Sequence, residues 1–163
     1  MHYNVIVTTD IRLQHANPAQ AVIPTEIKNL FKELLSTSTR ATSEGILRSR
    51  KNGRIELTYK SDDGRDMTIS FMKTEPALIA LTRGETLFDN AVTIYLEEGQ
   101  RHRSVSYDLR GERMELTVVA DKVDNRLLKS GKLVLNYSVY VCGVCAEINE
   151  MNISIVRDTD NKN

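Results

Sequence analysis

Two cysteines, Cys142 and Cys145, stand two residues apart in YVCGVCAEINEMN, and the chain has no others. That spacing suits a redox pair or half of a zinc site. A thioredoxin-like pair needs a helix N-terminus to stabilise its thiolate, and the residues after Cys145 read as a strand. Gly143-Val144 fits the two-residue loop of a II′ hairpin, with Gly first. Cys142 and Cys145 would then face each other at about 5.5 Å between Cα atoms, a distance that permits a disulfide. The ring closed would be tiny and its entropic effect small. Two ligands are half of zinc's usual four. The expectation is a hairpin end with inert or incidentally oxidisable thiols, no metal and no cofactor. The apolar phase shifts between Ile148 and Met151, which predicts a β-bulge near Asn149 or else a longer loop.

The stretch RHRSVSYDL places His102, Ser104, Ser106 and Asp108 on one strand face. Side chains two apart on a strand are about 6.5–7 Å apart at Cα, which suits no direct relay between nucleophile, base and orienting acid. The reading is a polar solvated face, so no catalytic residue is assigned and the sequence does not point to an enzyme. Arg103 shares the other phase with Val105, Tyr107 and Leu109, which is taken as the inner one. An interior Arg103 beside Tyr107 would hold a ligand carboxylate; the competing reading is an arginine that snorkels to the rim. Arg83, before Gly84, is a third candidate ligand contact, with a turn or an ion pair as its alternative.

These residues sit on elements with a period of two. Ile55, Leu57 and Tyr59 alternate with Glu56, Thr58 and Lys60, and Met67, Ile69 and Phe71 alternate with Thr68 and Ser70. The same holds for Val92, Ile94 and Leu96, for Met114, Leu116, Val118 and Ala120, and for Leu133, Leu135, Tyr137, Val139 and Val141. Such alternation marks strands with one face in the core and one in water. Asn52-Gly53 reads as a hairpin turn with both residues at positive φ, and SDDGRD, EEGQ and DLRGER place Gly where tight turns need it. With YNVIVTTDI, ATSEGILR and ALIALT, about ten short-spaced strands predict an antiparallel sandwich or barrel. A short helical turn is expected in DKVDNRLLKSG, ended by Gly131.

One segment has a different period. Ile27, Leu30, Phe31, Leu34 and Leu35 in PTEIKNLFKELLS form one apolar stripe of an amphipathic helix, inserted at about 24–36 between strands 1 and 2 and stopped by STST. Ile27, Leu30, Phe31 and Leu34 are expected to plug one end of the barrel as a lid, or to form an interface with a second copy. Residues 1–157 read as a single domain and 158–163 as a polar tail.

Lys plus Arg balance Asp plus Glu at 22 each among 163 residues, so nothing draws the chain to nucleic acid or an acidic membrane surface. The opening MHYNVIVTTDIRL lacks the parts of a signal peptide, and no apolar run approaches the roughly 20 residues of a membrane helix. A cytoplasmic protein with reduced thiols is expected, as monomer or homodimer.

From about 41 to 156 the sequence resembles the YwiB-like family of uncharacterised bacterial proteins. The matching residues are EGILRSRKNGRIELTY, LTRGET with Arg83 and Gly84, YLEEGQRHRSVSYDLRGERMELTVVAD with Tyr107 and Gly111, and GKLVLNYSV with Gly131 and Tyr137. The resemblance implies an all-β, antiparallel up-and-down barrel of calycin (lipocalin-like) type; the long segment between the first two strands and the cysteine pair depart from it. It supports fold far more than function. The expected function is binding of a small, partly apolar ligand in the barrel interior; the alternative is a structural or protein-interaction module with a packed core.

Overall fold

The computed structural model describes residues 2–15, 36–84, 92–107 and 113–159; of 105–107, 113 and 114 it describes the backbone. Ten strands follow one another: β1 (His2–His15), β2 (Ser36–Ser49), β3 (Arg54–Lys60), β4 (Asp66–Met72), β5 (Glu75–Arg83), β6 (Val92–Leu96), β7 (Arg101–Tyr107), β8 (Arg113–Arg126), β9 (Lys132–Val141) and β10 (Val144–Arg157). One helical turn, α1 (Leu127–Ser130), joins β8 to β9. Every ladder is antiparallel, and the spatial order β6-β5-β4-β3-β2-β1-β10-β9-β8-β7 keeps chain neighbours adjacent. Pairing of β1 with β10 brings the chain ends together, and Asp158 N–H donates to the Asn4 carbonyl at 3.1 Å.

The sheet curls into a nearly closed barrel whose seam lies between β6 and β7. No ladder joins these two strands among the described residues. Instead the Ser104 hydroxyl donates to the Thr93 carbonyl at 2.5 Å, and His102 Nε2 lies 3.3 Å from Glu97 Oε2. The β6–β7 turn folds onto β8: Gly99 N–H donates to the Ala120 carbonyl at 2.9 Å, and Glu98 accepts from Val123 N–H at 3.0 Å.

The predicted alternation is the barrel's inside-outside alternation. Ile55, Leu57, Tyr59, Met67, Ile69, Phe71, Leu133, Leu135 and Tyr137 are all buried. They join Val5, Val7, Ile79, Leu81, Leu96, Val118 and Ile153 in one apolar cluster. Burial of such side chains against one another is what holds the sheet in its curl. Gly45 makes the curl possible near β3: a Cβ there would lie 2.6 Å from Val7 Cγ2 and 2.9 Å from the Thr58 carbonyl oxygen.

Several expectations need correction. The turn at Asn52-Gly53 is not of I′ type, because only Gly53 has positive φ, at 84°. Gly53 N–H donates to the Arg50 carbonyl and Arg50 N–H to the Arg54 carbonyl, a type I turn followed by a left-handed glycine. Ser61, Gly64 and Arg65 repeat the same pattern. The short helix ends as expected, with Gly131 at φ 70° and its N–H on the Leu127 carbonyl. The helix expected at about 24–36, with Ile27, Leu30, Phe31, Leu34 and Leu35, falls on residues outside those described. Its expected stop, STST, is strand: β2 begins at Ser36. No helix of the described residues is long and apolar enough to cross a membrane.

Candidate functional site

The inner phase of β7 is the reverse of the one expected. Ser104 pairs with Leu116 and His102 with Val118 across the β7–β8 ladder, and Leu116 and Val118 are buried. Directly opposed residues share a face, so His102 and Ser104 take the core side. Arg103 faces out; its side chain is 79% exposed and its Nε lies 3.7 Å from Glu115 Oε1. The carboxylate clamp drawn from Arg103 and Tyr107 therefore loses its arginine. For Tyr107 the structure describes the backbone, at the end of β7.

The cysteine hairpin is displaced by one residue. Its loop is Cys142-Gly143, with Val141 paired to Val144, so Cys145 faces Tyr140 rather than Cys142. Both loop residues have positive φ, 49° and 81°, the I′ form rather than II′. Both thiols are free. Burial pushes the Cys145 thiol above its ordinary range, with partial relief from the Glu147 backbone. That is the opposite of what a thiolate nucleophile needs. The β-bulge predicted near Asn149 lies between Cys145 and Glu147. No group of three or more metal-ligating side chains occurs among the described residues.

Arg83 occupies a more informative place. It ends β5 in the inward phase after Ile79 and Leu81, and its guanidinium leans out to the β3–β4 turn. There its Nη2 lies 2.5 Å from Asp63 Oδ2. Asp63 also accepts from the Ser61 hydroxyl and, at 3.3 Å, from Arg65 N–H. The Ser61 hydroxyl most of all, then Arg83 and Arg65, hold its carboxyl down at about 2.

The barrel interior is not uniform from end to end. At the end where the chain starts and finishes, Ile55, Leu57, Ile69, Ile79, Leu96, Leu133 and Leu135 are wholly buried and fill the space. Toward the far end, where β1 stops and β2 begins, the inward positions turn polar. On one wall Tyr59 pairs with Met67, and Met67 with Arg83. On another wall Tyr137 pairs with Asn149, and Glu147 follows in Asn149's phase. The walls approach each other: Tyr59 and Arg83 both act electrostatically on Tyr137. Burial first, then the Glu147 carboxylate and Tyr59, push the Tyr137 phenol far up, against the pull of Arg83. Burial does the same to Tyr59, so both phenols stay neutral and keep their O–H protons.

Two polar atoms in this region have no hydrogen-bond partner among the described residues. The Tyr59 hydroxyl and Asn149 Nδ2 are sealed from solvent and make no hydrogen bond; Tyr59 is 3% exposed and Asn149 7%. A buried polar group left unmatched costs about 1–3 kcal/mol, so native proteins rarely leave two together without water or ligand to meet them. In the sequence Tyr59 and Tyr137 read as core residues and Asn149 marks no more than the expected bulge. The signal was an asparagine at an inward position of a strand, next to the predicted bulge.

A groove of about 420 Å³ lies along β1, β2 and β3 and has Tyr59 in its lining together with Glu44, Arg48, Lys60 and Asp66. These four charged residues belong to the outer phase, and their charges are mixed in sign.

Comparison with known proteins adds the family. Residues 25–153 match the family described as Domain of unknown function (DUF1934), well over half of the chain. The chain belongs to the DUF1934 family. This DUF1934 barrel is also similar to the crystal structure of the ywiB protein from Bacillus subtilis, with 10% sequence identity and a TM-score of 0.65. The match covers 97% of this chain and 94% of that one, and at such identity it shows the fold. No curated protein matches the chain.

Proposed function

We propose that this DUF1934 barrel binds a small, partly apolar molecule at the far end of its interior, in the manner of the calycin-type barrels its sequence resembles, and does so in the cytoplasm. The supporting observation is the pair of buried, unpartnered polar atoms, the Tyr59 hydroxyl and Asn149 Nδ2. A ligand that meets both removes a penalty the empty barrel carries, which is binding free energy available before any new apolar contact forms. Met67, Tyr137 and the ring of Tyr59 supply the apolar surface beside them. The reading differs from the carboxylate clamp, which depended on an inward Arg103.

A second reading, a packed structural or protein-interaction module, is favoured by the dense aliphatic filling of the other half of the barrel. Native mass spectrometry of the purified protein separates the two. The binding reading expects a bound small-molecule mass, reduced in Asn149→Leu and in Tyr59→Phe. A crystal structure with ordered water alone at Tyr59 and Asn149, together with no bound mass, would leave the packed module.

A further inference from the structure

Charge at the far end narrows the class of ligand. Glu147 lies two residues from Asn149 in the same inward phase, about 7 Å nearer the hairpin end along β10. The charge of its carboxylate is felt at Tyr137, the cross-strand neighbour of Asn149. Among the described residues it forms no ion pair. His15 is opposite Glu147 in the β1–β10 ladder and makes no such contact either. Among the described residues the cation whose charge is felt at Tyr137 is Arg83, and Asp63 already pairs with it. Among the described residues the cluster thus holds a matched arginine, two neutral phenols, an amide and one carboxylate without an ion-pair partner. A carboxylate ligand would meet Glu147 as a like charge, with no free arginine to offset it.

We propose that the ligand of the far end is a small organic cation, its ammonium held at Glu147 and a hydrogen-bond acceptor seated deeper, at Asn149 and Tyr59. The inference rests on the far end being a binding site, and adds the sign of charge and the two-point spacing. Asn149 Nδ2 donates, and the Tyr59 hydroxyl donates to or accepts from the same ligand atom. An amino alcohol several carbons long meets these terms, since its charged and hydroxyl ends are separated by a flexible apolar stem.

The test uses three probes that share a six-carbon stem and a terminal hydroxyl: 6-amino-1-hexanol, 1,6-hexanediol and 6-hydroxyhexanoate. Each is titrated into the full chain while backbone amide shifts of β9 and β10 are followed by NMR. The expected order of affinity is amine, diol, carboxylate, with about tenfold between the amine and the carboxylate, the scale of one charge-assisted contact. Glu147→Gln should bring the amine level with the diol and leave the diol unchanged. Equal binding of amine and diol to the wild type, or tighter binding of the carboxylate, overturns the cation assignment while the site stands. Failure of all three to shift residues around Tyr137 and Asn149 overturns the site itself.

Discussion

Two side chains, Cys142 and Tyr59, hold a conformation or surroundings that fit their residue type poorly, and each gives a prediction. Cys142 is the single non-glycine at positive φ among the described residues. Asn tolerates that region better than Cys does. Cys142→Asn should therefore raise stability, by about 0.5–1 kcal/mol, measured as a shift of the urea midpoint at constant slope. A change to Ser at both Cys142 and Cys145 should be close to neutral, because neither thiol bridges anything. Tyr59 presents the opposite situation. Its unmatched hydroxyl is a cost to the ligand-free protein, so Tyr59→Phe should stabilise that form, by about 1 kcal/mol, while weakening any ligand that uses the hydroxyl. Stability up and binding down together mark a functional polar group; a loss of both would mean that the hydroxyl has a structural partner.

At the scale of elements, the turns and the tight crossing at β2 decide most. Gly45→Ala places a methyl against Val7 and against the Thr58 backbone. Backbone yields less than a flexible side chain, so the expected loss is about 1–3 kcal/mol, as for other overpacked positions. Thermal unfolding checks it, and a neutral result would mean that β2 shifts away from β3. The β3–β4 turn is clamped to the end of β5 by Asp63 and Arg83. Since Asp63 is held at about 2, below its ordinary 3.8, its contribution is fully present above pH 3.8 and is lost as pH falls through 2. Asp63 is largely in water, so solvent and salt screen the effect to the small scale of surface pairs. Stability measured between pH 5 and pH 2 should fall less in Asp63→Asn than in the wild type, and the difference should shrink at high salt. The element most open to misreading was β7. Its sequence, RHRSVSY, supports either phase, because neither set of alternate residues is consistently apolar. A shift of one residue turns every side chain to the opposite face, and the ladder with β8 settled which face Arg103 takes.

Among the described residues the molecule is a barrel with nine ladders and one seam. Between β6 and β7 the Ser104 hydroxyl takes the place of a backbone donor, and the aromatic rings of Tyr95 and His102 stand 6.3 Å apart. Strands without a shared ladder open at lower free energy than paired ones. Amide exchange should therefore be faster in β6 and β7 than in β9 and β10, and Ser104→Ala should speed it further at the seam alone. Uniform protection around the barrel would contradict this. Much of the architecture was legible in the chain, because alternation and turn residues are local: the inward faces of β3, β4 and β9, the number of strands, and the helical turn closed by Gly131 all follow from neighbours in sequence. The exact hairpin type at Cys142 was less so, since Gly143 serves either turn and pairing across β9 and β10 chooses between them. The polar cluster was not legible as a cluster. Tyr59, Arg83, Tyr137, Glu147 and Asn149 come from four strands, and apart from Arg83 each looks ordinary on its own. Their meeting depends on ladder register and on the curvature that brings β3 and β5 opposite β9 and β10. The sequence by itself determined which residues are buried along most strands; tertiary closure decided which buried residues face one another, and so where unmatched polar atoms and an unmatched charge come together.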